Sequence, residues 1–371
     1  LSKKYNVNKN VLEAAKERIK FIFDEFENII VSISGGKDST VLAYLALLEA
    51  NKRGRKIGLF FLDEEVVYQN TAEQIEYVMN LFPANTNRFW LQIPFKLTNS
   101  TSFSEGQLNC WEQSEKKKWM RKRKADNILK KTWSHQTKVV NKNKGFGFYD
   151  VLYNFELSFL NTAFLVGLRA DESFNRYRTM IKNPGYKEVM WSTKRDGGNF
   201  TFYPLYDWGF HDIWKFIGEN NLKYHKFYDF AYKKGRGINE IRVSSLTHEK
   251  SFKSIQDLPE FEFETYEKLV NRIQGIAFAQ ETAKNKKMFQ VKVLPQNFKK
   301  WCDYRDFLLK TYPDETKKHI FVARFAKHKN NEYVARQQCK QLILNDYENN
   351  FPVKNNEDPI QEKIAYWRSV L

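Results

Sequence analysis

Apolar side chains at positions 11, 12, 15, 19, 22, 23 and 26 follow the i, i+3, i+4 spacing of an amphipathic helix over residues 10–26. The pattern then changes. Ile29-Ile30-Val31-Ser32-Ile33 is a short, β-branched, nearly unbroken apolar run that predicts a buried strand, and residues 40–50 (TVLAYLALLEA) predict the helix after it. Residues 56–62 (KIGLFFL) predict a second buried strand ending at Asp63-Glu64-Glu65, followed by a helix over 71–81 and a third strand over 88–93. The alternation breaks over about 105–150, where surface helices are expected. It resumes with a strand over 161–167, a short strand over 200–205 and a helix over 211–219. The aromatic run from Tyr203 to Trp214 reads as packing between sheet and helix, not as a stacking platform. Beyond about 245, residues 261–276 and 303–309 predict helices, with no strand signal of comparable quality. Strands alternating with helices predict an α/β fold, a parallel sheet covered on both faces, with ligands beyond the carboxyl ends of its strands. The expected division is an α/β domain over 1–245, carrying the insertion at about 105–150, and a mainly helical domain over 246–371.

The junction between the first strand and its helix is Ser34-Gly35-Gly36-Lys37-Asp38-Ser39. Two glycines there let the backbone approach a ligand and turn several N–H groups toward it. The helix N-terminus adds unpaired donors and partial positive charge, and Lys37 adds a full charge. Such a loop suits phosphate. It is not a Walker A loop, which needs four residues between its first Gly and the Gly-Lys pair, nor a GxGxxG fingerprint. A second predicted strand end carries Gly167-Leu168-Arg169-Ala170-Asp171-Glu172-Ser173, with Arg176 and Arg178 beyond it. Guanidinium binds phosphate in a bidentate fork and stays charged. The alternative there is an Arg169–Glu172 pair that only stabilises the loop.

Composition narrows the class. The 371 residues are 42% hydrophobic, with 31 Phe, 19 Tyr and 9 Trp, enough for a sizeable packed core. No apolar run approaches a membrane span, the N-terminus lacks the apolar stretch of a signal peptide, and three widely separated cysteines fit a reducing compartment. These features predict a cytoplasmic protein without a membrane partner. The net charge of +17 is uneven: residues 115–144 hold twelve Lys/Arg against Glu115 and Asp126. That segment reads either as a solvated insertion or as a polyanion-binding arm. In the second case Lys116, Lys117, Lys118, Arg121, Lys122, Arg123 and Lys124 attract nucleic-acid phosphates beside Trp111, Trp119 and Trp133. The six histidines, at 135, 211, 225, 248, 319 and 328, show no metal-ligand spacing and read as surface or packing residues.

Taken together, the motifs resemble the PP-loop family of ATP pyrophosphatases and phosphoadenosine-phosphosulfate (PAPS) reductases in four ordered places. These are Ser34–Ser39, Leu62-Asp63, Gly167–Arg176 (G-x-R-x-x-E-S-x-x-R), and Tyr203-Pro204-Leu205-Tyr206-Asp207-Trp208 leading to Asp212-Ile213-Trp214. The resemblance covers about residues 25–235. It implies the Rossmann-like adenine-nucleotide α-hydrolase fold, with a five-stranded parallel sheet and ATP or PAPS at its carboxyl edge. Carried over, Ser34, Gly35, Gly36, Lys37, Asp38 and Ser39 hold phosphate, Arg169 and Arg176 with Gly167 and Glu172 serve the distal phosphates, and Leu62 and Asp63 line the adenosine site. Lys37, Asp38 and Arg169 are the catalytic candidates. Asp38 and Asp63 are the candidates for Mg²⁺, which binds through one or two carboxylates plus nucleotide phosphates.

The departure from the family lies in the cysteines. PAPS reductases carry a nucleophilic Cys in a C-terminal Glu-Cys-Gly-x-x-His-type motif, and the corresponding stretch 232–246 of this chain has none. Cys110, Cys302 and Cys339 are too few and too scattered for the four ligands of an iron–sulfur cluster, so none is expected. Sulfonucleotide reduction is therefore not expected either. The chain looks most like a PAPS-reductase-like branch without the cysteine motif, found in mobile elements and in some cases beside a ParB-like protein, which the resemblance implies as a partner. Arg242-Val-Ser-Ser-Leu246 and the helix through Tyr266 and Arg272 also look like that branch. Two functions remain open. One is an enzyme that cleaves ATP at the α-phosphate and adenylates an acceptor, with nucleic acid as a candidate acceptor. The other is a non-catalytic, nucleotide-gated regulator or DNA- or partner-binding protein.

Overall fold

The computed structural model describes residues 9–102, 105–123, 146–172, 174–181, 185–238, 241–243, 245–248, 251–277, 293–326, 331–347, 349 and 353. For 174, 175, 179, 181, 252 and 253 it describes the backbone alone. Lys124, Trp133, His135, Ser173, Ser244, His328 and most of the basic segment lie outside the described residues.

Helix α1 (Val11–Glu25) begins where the Asn10 side chain accepts the Glu13 N–H at 2.9 Å, a standard N-cap. Strand β1 (Asn28–Ser32) follows, then α2 (Lys37–Lys52), whose Leu- and Ala-rich sequence is a strong helix former and is buried on most sides. Next come β2 (Ile57–Leu62), α3 (Gln69–Met79) and β3 (Thr86–Leu91). A two-stranded ribbon of β4 (Phe95–Thr98) and β5 (Gln107–Cys110) precedes α4 (Phe148–Leu157) and β6 (Thr162–Val166). Helix α5 (Phe174–Ile181) leads to the β7 (Ser192–Lys194) and β8 (Phe200–Phe202) hairpin, then to α6 (Phe210–Glu219) and α7 (Phe227–Lys233).

The main sheet has the order β3-β2-β1-β6-β8-β7. Its first five strands are parallel, as the family fold requires, and β7 adds an antiparallel edge strand that three residues of weak pattern did not announce. Strand β1 is flanked by β2 on one side and β6 on the other, with Val31 opposite both Leu59 and Leu165. The chain therefore leaves β1 in opposite directions, and the crevice beyond its carboxyl end is the topological switch point where ligands bind in open α/β sheets. The two faces follow the pleat. Ile29, Val31, Ile33, Leu59, Phe61 and Leu165 share a core with α1, α2 and α6. On the other face Phe60 stacks on Phe155 of α4, with ring centroids 4.0 Å apart. Tyr203, Leu205, Trp208 and Ile213 are buried, so the aromatic run is packing, as its sequence suggests.

By packing, the chain forms two compact units. The first contains residues Leu1–Leu97, Asn109–Leu246 and Asp257–Arg272; the second contains Thr98–Leu108, Thr247–Gln256 and Ile273–Leu371. This differs from a single cut at 245, because α9 (Phe263–Arg272) belongs with the α/β unit, whereas α8 (Phe252–Phe261) straddles a boundary. The second unit contains α10 (Trp301–Lys310), α11 (Glu315–Phe325) and α12 (Glu332–Ile343), with Tyr312, Phe321, Phe325 and Leu342 as its core. Where surface helices were expected after about 105, the described residues instead form strand β5 and a 3-10 turn over Gln113–Lys118. Among the described residues no helix is long and apolar enough to cross a membrane.

Candidate functional site

The loop from Ser34 to Ser39 closes on itself before it meets any partner. Ser39 Oγ accepts the Ser34 N–H at 3.1 Å and donates to the Gly36 carbonyl at 3.0 Å. Gly35 has φ +74, a left-handed conformation, and a Cβ there would sit 3.0 Å from Thr71 Cγ2, so both backbone and space call for glycine. Gly36, the residue preceding α2, has no capping side chain; the Lys37 N–H is instead accepted by Tyr228 Oη of α7 at 3.2 Å. Burial pushes that phenol far above its ordinary range. At the end of β6, a Cβ on Gly167 would come within 3.1 Å of the Asp38 carbonyl and Ser39 nitrogen. A larger residue at this strand end would have to push the first turn of α2 aside by a few tenths of an ångström.

The contact brings the two motifs together. Arg169 Nε donates to Asp38 Oδ1 at 2.5 Å, and Lys37 Nζ donates to Asp38 Oδ2 at 3.0 Å. Lys37 and Arg169 are only 6% and 4% exposed, so a single carboxylate holds two buried cations. Burial lowers the Lys37 pKa despite the Asp38 charge. Glu172 reaches Arg169 at 3.5 Å and also pairs with Arg176, whose own pKa is lowered by burial and by the Arg242 charge. The pairing of Arg169 with Glu172 anticipated as an alternative is thus present, together with the Asp38 contact.

Beside this cluster a cavity of about 390 Å³ runs from Ser32, Ile33 and Ser34 along Phe60, Phe61 and Leu62 to α4 and the β7–β8 hairpin. Its polar wall includes Glu64, Thr71, Glu156, Arg195 and Ser245. Burial pushes the Glu64 carboxyl up, opposed by a hydrogen bond from Ser245; burial also raises Glu156, opposed by Arg195. Thr71 in turn is held by His225, whose Nε2 lies 3.0 Å from Thr71 Oγ1 while its Nδ1 accepts the Phe227 N–H at 3.2 Å. The acceptor role of Nδ1 places the proton on Nε2. Glu64, Glu156 and Arg195 were not singled out from the sequence. Alternation along the chain past β2 is the one signal that separates Glu64 from its acidic neighbours.

Asp63 goes elsewhere. It is fully buried, and its carboxylate accepts from Trp90 Nε1 at 2.9 Å, Gln92 Nε2 at 3.0 Å, the Glu65 N–H at 3.0 Å and Arg121. It shares no partner with Asp38, whose oxygens are taken by Lys37 and Arg169. The two carboxylates considered for Mg²⁺ therefore do not fit a protein-held ion, and among the described residues no group of three His, Cys, Asp or Glu is placed to hold a metal. Of the basic residues, Arg121 and Arg123 are turned inward: Arg121 donates to the Glu65 carbonyl at 2.9 Å and Arg123 to the Trp111 carbonyl at 3.1 Å. Trp111 is completely buried and is not a base-stacking surface. Lys116, Lys117, Lys118 and Lys122 are exposed. The thiols of Cys110, Cys302 and Cys339 are all pushed up by burial, the second to about 11 and the third to about 12, so none has the character of an activated thiolate.

A glycine-bearing SGGKDS loop at the switch point of the parallel β3-β2-β1-β6-β8 sheet defines an α/β protein of the PP-loop class. The chain belongs to the phosphoadenosine phosphosulfate reductase domain family, whose model matches residues 28–234. Residues 235–358 match a domain of unknown function, DUF3440. The chain is 26% identical over 368 residues to the "Uncharacterized protein YbdN" of Escherichia coli (strain K12), covering 91% of this chain and 89% of that protein. Among solved structures it is similar to the phosphoadenylyl-sulfate reductase of Candida auris in a phosphate complex, at 16% identity and TM-score 0.34, covering 62% of this chain and 93% of that one. It is also similar to the FMN adenylyltransferase of Candida glabrata with FMN and an ATP analogue, at 15% identity and TM-score 0.34, covering 59% of each chain.

Proposed function

We propose that the α/β unit binds an adenine nucleotide, ATP or PAPS, with its base and ribose in the cavity beside Leu62 and its phosphates over residues 34–39. The observation that carries this reading is that the cavity is lined by Ser34, the first residue of the loop, and by Val166 at the end of β6, and that the same loop and strand end supply the buried Lys37–Asp38–Arg169 cluster. Phosphate oxygens would take up the charge of Lys37 and Arg169, with Arg176 serving the distal end and the loop N–H groups completing the cradle. With ATP bound, an acceptor oxygen attacks the α-phosphorus, the bond to the bridging β-oxygen breaks, and pyrophosphate leaves with the electron pair. Lys37 and Arg169 stabilise the charge that develops on the phosphates, in a site already organised by Asp38. Mg²⁺ carried by the nucleotide itself is compatible with this scheme, but no step depends on a metal held by Asp38 or Asp63.

The double ion pair also favours a second reading, a nucleotide-gated regulator in which phosphate and Asp38 exchange as partners of the two cations. One experiment separates the two. The protein is titrated with ATP, PAPS and adenosine 3′,5′-bisphosphate by calorimetry, and the nucleotide is recovered for chromatography. Binding is expected to weaken at least about tenfold in Lys37→Ala, the loss of one charge-assisted contact. ATP returned as AMP and pyrophosphate supports cleavage at the α-phosphorus, with water standing in for the acceptor; ATP returned intact supports the regulator. Absence of binding by all three, or equal binding by Lys37→Ala, rejects the phosphate site.

A further inference from the structure

A second concavity, about 940 Å³ in volume, lies on the α/β unit away from the loop. Its wall carries Lys116, Lys117, Arg121, Lys122 and Arg123 from the start of the basic segment, and Lys268 from α9. Among the described residues no acidic side chain lines it. Of the six cations, Arg121 is answered by Asp63, and Arg123 lies over the Trp119 ring at 4.8 Å from the centroid. The four lysines are exposed at the rim. Like charges gathered around one hollow repel each other, and a low-dielectric wall concentrates their field into it. That arrangement suits a ligand with several regularly spaced negative charges. Trp119, half-buried in the wall, adds an aromatic surface of the kind that bases stack on.

We propose that this hollow binds the phosphodiester backbone of a nucleic acid. The lysines neutralise successive phosphates, and Trp119, steadied by Arg123, supplies the apolar contact. The inclusion of Lys268 matters, because α9 lies outside the basic segment in sequence and is brought to it by folding. The hollow is also wired to the nucleotide cavity. Arg121 holds Asp63 and the Glu65 carbonyl, the residues on either side of Glu64 in the cavity wall. Nucleic acid in the hollow therefore bears on the β2 end of the nucleotide site, a coupling that rests on the nucleotide reading above, whereas the binding itself does not.

The test measures fluorescence anisotropy of labelled single-stranded RNA, single-stranded DNA and duplex DNA of one sequence against the full-length protein, over a series of salt concentrations. The parent is expected to bind with a steep negative dependence of log affinity on log salt. The variant Lys116→Glu/Lys117→Glu/Lys122→Glu/Lys268→Glu should bind at least about a hundredfold more weakly at low salt. Its slope should be shallower by roughly three, from about 0.7 per phosphate contact on a single strand. Lys268→Glu alone guards against misfolding of the multiple variant and should lower the slope by about 0.7. Lys215→Glu on α6 should leave it unchanged. The RNA, DNA and duplex arms identify which backbone is preferred. Failure of every arm to bind, an unaltered slope in Lys268→Glu, or equally tight binding of polyglutamate would overturn the proposal. Lys37→Ala should still bind the oligonucleotide, so loss of nucleotide binding and loss of nucleic-acid binding are read separately.

Discussion

Replacing Arg272 with methionine probes the corner where β2 turns toward α3. Glu65 there is fully buried with φ +61, a left-handed conformation uncommon for glutamate. Its carboxylate accepts from Arg272 Nε at 2.6 Å and Nη2 at 3.2 Å, and from the Trp111 N–H at 2.6 Å; Arg272 Nη2 also donates to the Asn109 carbonyl at 2.7 Å. Methionine keeps much of the volume but leaves Glu65 charged, buried and without its cation. Breaking such a pair from one side costs about 3–5 kcal/mol. In a unit of this size about 1 kcal/mol corresponds to 2–4 °C, so Tm should fall by roughly 6–20 °C. Thermal unfolding followed by tryptophan fluorescence reports the loss, since Trp90, Trp111 and Trp208 are buried in this unit. The double variant Glu65→Leu/Arg272→Met removes both charges and leaves the Trp111 N–H unsatisfied, at roughly 1–3 kcal/mol. It should therefore be more stable than Arg272→Met alone. A single variant within about 1 kcal/mol of the parent, or a double variant no more stable than the single, would refute the claim that this ion pair fastens the corner.

Two further perturbations test the groups around the loop. Burial lowers the His225 pKa to about 3, so between there and about 6.5 the unfolded chain binds a proton that the folded chain does not. Its contribution is complete above about pH 6.5 and is lost as pH falls toward 3, by on the order of 4 kcal/mol in all. His225→Gln should flatten the fall of Tm between about pH 6.5 and 4, and an identical slope in both proteins would count against the buried neutral imidazole. Asp38→Asn removes the counter-charge of Lys37 and Arg169, whose side chains are 7% and 5% exposed. The free variant should be less stable and should gain more Tm from added pyrophosphate than the parent does; equal gains would show that Asp38 does not compete with anions.

Most of the frame was legible because it rests on short-range patterns. The apolar runs at 29–33 and 56–62 became the parallel strands β1 and β2, and Gly35 and Gly167 stand where a Cβ would be crowded. What the sequence hid are choices made by the tertiary structure. Asp63, Glu64 and Glu65 are chemically alike in a row, yet Asp63 and Glu65 are clamped by Arg121 and Arg272, while Glu64 faces the cavity. Tyr228 gives no local sign that it will accept an N–H at the start of α2, 191 residues earlier. The basic run likewise reads as uniform charge, but folding turns Arg121 and Arg123 inward and leaves the lysines outside. The strand at 192–194 is too short to carry a pattern of its own and exists by pairing with β8.

The cysteine-free stretch 232–246 contributes to the cavity. Within residues 232–246, Val243 and Ser245 form part of the cavity wall, Ser245 hydrogen-bonds Glu64, and the Leu246 N–H reaches the Val66 carbonyl at 3.2 Å. The segment beyond it reinforces the same corner. Glu262 accepts the Gln69 and Asn70 N–H groups at the start of α3, and a carboxylate there also suits the helix dipole. Phe261 packs against Tyr68, His225 and Phe227. Although the reductase-family match ends at residue 234, the β2–α3 side of the cavity is built in part by residues from the second matched region. The loop, Lys37 and Arg169 lie within the reductase-family match, whereas Val243 and Ser245 of the cavity wall lie in the second matched region. On the proposed reading of the site, selectivity is to be sought at Glu64, Ser245 and the residues that fasten them, since these polar groups line the cavity while Lys37 and Arg169 are engaged by Asp38.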